Sequence, residues 1–189
     1  MTKKNHRRKN NSKFVLGVGL IMVGLAAVLI LLGPKHTEAS QPVSRSVVPA
    51  EVNYPAPELS LQNVNGETES LVGYRDKVVL VNNWATWCPP CKAEIPTLEA
   101  YYKAHSTDGF VIIGIEAGEP QNTVQEFVQG KITYPIWIDP ESAAMNAFHN
   151  ASLPSSYVID RNGTVRLAWV GEISREMLEK FVTPLLTEN

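Results

Sequence analysis

The sequence predicts an α/β domain, a central mixed β-sheet flanked by helices, carried behind one transmembrane helix. Three observations support this. Residues 14–33 read FVLGVGLIMVGLAAVLILLG, with no ionisable or amide side chain. Two near-continuous apolar runs, Lys77–Trp84 (KVVLVNNW) and Phe110–Glu116 (FVIIGIE), suit strands buried on both faces. Between them Ile95, Leu98, Tyr101 and Tyr102 recur at helical spacing.

Residues 1–13 form a basic tail holding Lys3, Lys4, Arg7, Arg8, Lys9 and Lys13, with no acid among them. The apolar run 14–33 is roughly 30 Å long as a helix, enough to cross a bilayer core. With the positive cluster on its N-terminal side, the expectation is a cytoplasmic N-terminus and an exported remainder. A cleaved signal peptide is the competing reading, although its apolar segment usually runs only about 7–15 residues. A buried soluble helix is a third. No Cys lies near the end of the run, so a lipoprotein is not expected. Residues 34–56, with Pro34, Pro42, Pro49 and Pro55, read as a linker, and 57–189 as one compact domain. With six of the 17 basic residues in the tail, the remainder holds 11 basic against 19 acidic side chains. That acidic balance gives no electrostatic reason to expect nucleic-acid binding.

The chain has two cysteines, Cys88 and Cys91, flanking Pro89 and Pro90. A structural disulfide is one reading, but so tight a loop constrains little, since stabilisation grows with the loop closed. Structural zinc needs four ligands, and neither a second Cys pair nor a His pair at ligand spacing is present. A Cu(I) chaperone using both thiolates is possible chemistry, without a Met or His cluster to support it. The redox reading needs a strand feeding a helix whose first turn presents the first Cys. Lys77–Trp84 supplies the strand, and the stretch from Cys88 onward the helix, whose first turn tolerates proline. Free N–H groups and the positive helix end lower a thiol pKa there from about 8.5 into the range of about 3.5–7.5. Cys88 is therefore expected to be the exposed nucleophile, and Cys91, one turn deeper, the resolving thiol.

WATWCPPC followed by KAEIP resembles the TlpA/ResA family of membrane-anchored, thioredoxin-like disulfide reductases. The likeness extends over most of 55–187. Pro55-Ala-Pro-Glu-Leu-Ser-Leu resembles the family's first strand, and Asn65–Gly66 signals a hairpin turn, giving an N-terminal β-hairpin extension to a thioredoxin-like fold. A short helix is expected over Leu71–Tyr74, helices over Thr123–Gly130 and Ser142–His149, and a further strand or extended segment over Tyr134–Asp139. A strand then runs from Leu153 to Asp160, an Asn162–Gly163 turn leads into its antiparallel partner Thr164–Val170, and Ser174–Leu186 closes the domain as a helix.

The resemblance implies a cis Leu153–Pro154 bond against the Cys pair, with the backbone before it receiving an incoming peptide as an added strand. It also implies roles elsewhere. A buried Asp of thioredoxins falls at Asn82, which cannot titrate; Glu94, three residues after Cys91 on the same helix face, is the candidate for proton transfer. The alternative is that Glu94 is a solvated first-turn acid. Trp84 reads as core and Trp87 as docking surface. Pro89 and Pro90 would tune the redox potential and border the substrate. Asn83 stands where the family has an aromatic residue and receives no account. His149, Met145 and Phe148 read as packing, and neither Glu116 nor Glu119 is assigned a role.

The expected activity is reduction of disulfides in protein clients outside the cytoplasm, without a cofactor or metal. Apocytochrome c is the family's commonest client and copper-site assembly proteins another. Electrons would come through a polytopic membrane thiol transporter of the CcdA/DsbD type. A disulfide oxidant or isomerase shares the motif, since the potential and not the motif sets direction. A thiol peroxidase would need a Cys in a different setting.

Overall fold

The computed structural model describes residues 47–188. The basic tail, the apolar run 14–33 and most of the linker lie outside them. Among the described residues no helix is long and apolar enough to cross a membrane.

Eight strands form one mixed sheet: β1 (Ala50–Pro55), β2 (Ser60–Asn63), β3 (Thr68–Ser70), β4 (Val78–Trp84), β5 (Phe110–Glu116), β6 (Ile136–Ile138), β7 (Ser155–Ile159) and β8 (Thr164–Val170). Their order is β1-β8-β7-β4-β5-β6-β2-β3. β4, β5 and β6 run parallel; β7, β8 and β1 extend one side antiparallel, and the β2–β3 hairpin extends the other. The helices are α1 (Pro89–His105), α2 (Gln121–Val128), α3 (Ala143–Ala147), α4 (Arg175–Met177) and α5 (Thr183–Thr187), with 3-10 turns at Leu71–Tyr74 and Ser106–Asp108.

All seven residues of β4 are buried, because both faces of the sheet are covered. Its side chains alternate between two cores. Val78, Leu80 and Trp84 join Leu98 and Tyr101 of α1, while Val79 and Val81 join Leu71, Ala144 and Phe148. This parity places Asn82 on the α1 side and Asn83 on the other. Gly114, opposite Asn82 in β5, has no room for a side chain: a Cβ there would lie 2.7 Å from Ile136 Cδ1 and 3.2 Å from Trp84 Nε1.

The hairpin turn forms around Asn65–Gly66. Asn63 Oδ1 accepts the N–H groups of Asn65 and Glu67, and Gly66 takes the positive φ of 84° that such a turn requires.

One expectation about the fold needs correction. The sheet begins at Ala50, within the stretch read as linker. β1 is an edge strand, mostly exposed, pairing Ala50 with Ala168 and Pro55 with Thr164. An edge strand with one half-buried position, Val52, leaves no apolar alternation to read. The closing helix forms as expected, running without a break from Arg175 to Thr187, with a π-helical stretch, Leu178–Val182, joining α4 to α5. Arg161 ties down its end by donating to the carbonyls of Leu185, Leu186 and Glu188.

Candidate active site

β4 ends at Trp84, and four residues later the chain enters α1 through Cys88, which caps the helix from extended backbone (φ −88°, ψ 108°). Cys88 Sγ accepts the Cys91 N–H at 3.3 Å. The sulfur thus occupies the place an Asp or Ser side chain takes at other helix starts, among N–H groups that lack intrahelical partners. Pro89 and Pro90 fill the next two positions without sacrificing a needed donor. The two sulfurs are bonded, with Cα atoms 5.3 Å apart.

The Leu153–Pro154 peptide bond is cis. Pro154 leads directly into β7, and its carbonyl accepts the Gly171 N–H at 2.8 Å. Trp87, Cys88, Pro89, Pro90, Leu153, Ala117, Met145 and Ala151 line one shallow depression of about 410 Å³. Pro154 itself is buried beside it. Met145, read as packing from helical spacing, is half-buried and forms a wall of this depression. Trp87 is 64% exposed, an unusual state for so large an apolar surface.

The exposure expected of Cys88 is corrected: the residue is only 4% exposed, and Cys91 is fully buried. Cys88 belongs to the core cluster through its body and reaches the surface only where it borders the depression. The order of the pair nonetheless differs, since Cys91 does not line it.

Glu94 is not a solvated acid: it is fully buried. Its Oε1 accepts from Asn82 Nδ2 at 2.8 Å and its Oε2 from the Ile173 N–H at 3.0 Å. Asn82 Nδ2 also donates to Ser156 Oγ at 2.9 Å, across the β4–β7 pairing of Asn82 with Ser156. Burial pushes the Glu94 carboxyl up to about 7; the hydrogen bonds from Asn82 and Ile173 oppose the shift, and the Glu172 charge adds to it. A buried acid poised near neutrality, one helical turn beyond the deeper Cys, is suited to exchange protons at working pH.

Asn82 and Ile173 as partners of Glu94, and Ser156 as a partner of Asn82, were not legible. The signal available was the polar pair Asn82–Asn83 inside an otherwise apolar strand, matched by Ser155–Ser156. Asn83 now has a structural place: its Nδ2 donates to Ser155 Oγ at 3.2 Å on the opposite face. Trp84 is core, its ring centroid 5.4 Å from that of Phe127 with the planes tilted by 38°. Phe148 packs on Tyr157, with ring centroids 4.1 Å apart, whereas His149 is exposed. Among the described residues no group of three or more His, Cys, Asp or Glu side chains is placed to hold a metal.

A vicinal dithiol/disulfide pair capping a helix, on a sheet of this order beside a cis-proline, defines a thioredoxin-like thiol–disulfide oxidoreductase. By comparison of sequences the chain belongs to the AhpC/TSA family, whose profile matches residues 52–168. It is 30% identical over 173 residues to the thiol-disulfide oxidoreductase ResA of Geobacillus kaustophilus, covering 91% of this chain and 95% of that protein. It is 26% identical over 174 residues to sporulation thiol-disulfide oxidoreductase A of Bacillus subtilis, covering 90% and 97%. Among solved structures, a thiol:disulfide interchange protein of the thioredoxin family from Chlorobium tepidum superposes with a TM-score of 0.65 at 30% identity. That match covers 72% of this chain and 99% of its counterpart.

Proposed function

We propose that this oxidoreductase reduces disulfides of specific protein clients outside the cytoplasm, held at the membrane by residues 14–33, with apocytochrome c as the leading client. The observation that carries the reading is the division of the Cys pair: Cys88 caps α1 at the edge of an apolar depression, while Cys91 lies behind it on the same helix as buried Glu94. The Cys88 thiolate attacks one sulfur of a client disulfide, forming a mixed disulfide and releasing the other client sulfur as a thiolate. Cys91 then gives its proton to Glu94 and attacks Cys88 Sγ. The second client sulfur leaves, the Cys88–Cys91 bond forms, and the client has gained two electrons. Protons from the thiols, one passing through Glu94, complete the client's two thiols. A membrane thiol transporter of the CcdA/DsbD type would return two electrons to the pair.

The Leu153 backbone before the cis bond and the ring of Trp87 receive the client segment, with Pro89 and Pro90 fixing the floor between the cysteines. The ResA relatives and the uncharged run behind a basic tail support the reductant and anchor parts of this reading. Anchoring raises the effective concentration of the site toward membrane-bound partners.

The test is the rate at which the reduced protein acts on an oxidised Cys-x-x-Cys-His peptide, compared with insulin. Preference for the peptide supports an apocytochrome client; equal rates remove it. In the same assay Trp87→Ala raises KM for the peptide roughly tenfold, about the 1–2 kcal/mol of an exposed aromatic anchor. It leaves thermal stability and the rate with a small disulfide unchanged. An unchanged KM would remove Trp87 from the docking surface.

A further inference from the structure

Two acids outside the proton path sit against the loop that presents Cys88. Glu116, the last residue of β5, is fully buried. Its Oε2 accepts the Glu119 N–H at 2.9 Å, and its carboxyl also hydrogen-bonds the Glu119 carboxyl. Glu119 in turn grips Thr86 with both oxygens: Oε2 accepts the Thr86 N–H at 2.7 Å and Oε1 the Thr86 hydroxyl at 2.6 Å. The backbone reinforces the contact, since Ala117 N–H donates to Trp84 O at 2.9 Å. Thr86 directly precedes Trp87 and Cys88, and Ala117, between the two acids' strand and loop, lines the depression.

We propose that Glu116 and Glu119 form a proton-sharing clamp on Thr86 that positions Trp87 and Cys88, and that the clamp slackens when the shared proton is lost. Glu116 is thus a positioning residue for the thiol exchange assigned to Cys88, and the proposal rests on that assignment for its functional consequence.

The chemistry follows from the arrangement. Two carboxylates in contact, one wholly out of water, cannot both stay ionised without a cation between them. Burial raises Glu116, and the hydrogen bond and charge of Glu119 raise it further, to about 7. Burial also pulls Glu119 upward, but the two Thr86 donors and the Glu116 hydrogen bond outweigh it and hold Glu119 below the usual range. The proton therefore resides on Glu116, and Glu119 is the ionised member that holds Thr86.

Among the described residues no other group is placed to reverse this. β4 contributes Trp84, which has no charge. Asp139, after β6, donates its N–H to the Glu116 carbonyl, and its carboxylate is committed to the N–H groups of Ala143 and Ala144. Glu94 is bonded to Asn82 and Ile173 instead. Loss of the proton above neutral pH sets two charges against each other, and the partner that can move is Glu119 with its hold on Thr86.

The test follows the Thr86 amide resonance of the oxidised, 15N-labelled full chain in detergent micelles from pH 5.5 to 8.5, where no thiol titrates. The expected result is a step with midpoint near 7. It disappears in Glu116→Gln, whose carboxamide donates to Glu119 at every pH, and persists in Glu94→Gln. Absence of the step in the parent, or its survival in Glu116→Gln, overturns the proposal. Should Glu116→Gln fail to fold, the parent's step and its loss in Glu94→Gln would overturn it equally, by assigning the proton to the other acid. This titration needs no client, so it stands apart from any failure of the reductase reading. The functional arm is the iodoacetamide alkylation rate of reduced Cys88. The ratio of parent to Glu116→Gln is one below pH 6 and departs from one above pH 7. A ratio of one throughout contradicts the positioning role.

Discussion

Replacing Cys88 by Ser abolishes reduction of protein disulfides, whereas Cys91→Ser turns the protein into a trap that accumulates a covalent client. The difference follows from where α1 places the two sulfurs. Cys88 borders the depression and its sulfur meets the free N–H groups of the helix start, so its thiolate is the form that attacks. Cys91 is fully buried and reaches only Cys88. Without Cys88 there is no accessible nucleophile, and turnover falls to the uncatalysed rate. Without Cys91 the first exchange proceeds, but no thiol is near enough to break the mixed disulfide. Non-reducing gels after mixing reduced protein with an oxidised client read both outcomes. Both variants should fold, because a loop this short contributes little through chain entropy. Turnover surviving in Cys88→Ser would show that Cys91 is reached directly by clients, against its burial.

Glu94 gives the second large effect, in stability as well as in rate. Its carboxyl titrates near 7 in the fold against about 4.3 in an unfolded chain. The folded state therefore holds an extra proton between these values, and stability falls as pH rises through that window. The contribution is fully present below about pH 4.3 and gone above the folded value, a span of about 4 kcal/mol. Glu116 shifts in the same direction. Glu69 and Glu99, held below the usual range by donated hydrogen bonds despite burial, act in the opposite sense and only at more acid pH.

Urea unfolding of the oxidised protein should thus give lower stability at pH 8 than at pH 5. Glu94→Gln should remove the Glu94 share of that difference while keeping an acceptor for one N–H. Glu94→Ala, which strands both the Asn82 amide and the Ile173 N–H, costs about 1–3 kcal/mol for each donor left unpaired. In the reduced protein, Glu94→Gln should also slow resolution of the mixed disulfide near pH 7. Unchanged pH slopes and unchanged thiol pKa values in Glu94→Gln would remove the acid from the mechanism.

The parts legible in the sequence are those where a residue's neighbours in sequence decide its state. β4 and β5 were readable because a strand covered on both faces is apolar throughout, and β5 and β8 have the bounds their patterns give. The Cys-Pro-Pro-Cys helix start was readable because proline tolerance there is local. What escaped depends on contacts distant in sequence. β1 is held by backbone pairing at an exposed edge, so its side chains carry no pattern. Glu94 has the sequence surroundings of an ordinary surface acid; its burial comes from Ile173, 79 positions on, and from Asn82 across the sheet. Met145 and Ala117 reach the Cys pair only because the ends of β4, β5 and the Pro154 loop converge.

The equilibrium reduction potential of the Cys88–Cys91 pair, measured on the full chain against a glutathione or dithiothreitol series, tests the central claim most directly. A value well below about −200 mV, on the thioredoxin side of the scale, is the result this account predicts. A value near about −120 mV, that of a strong oxidant, would contradict it.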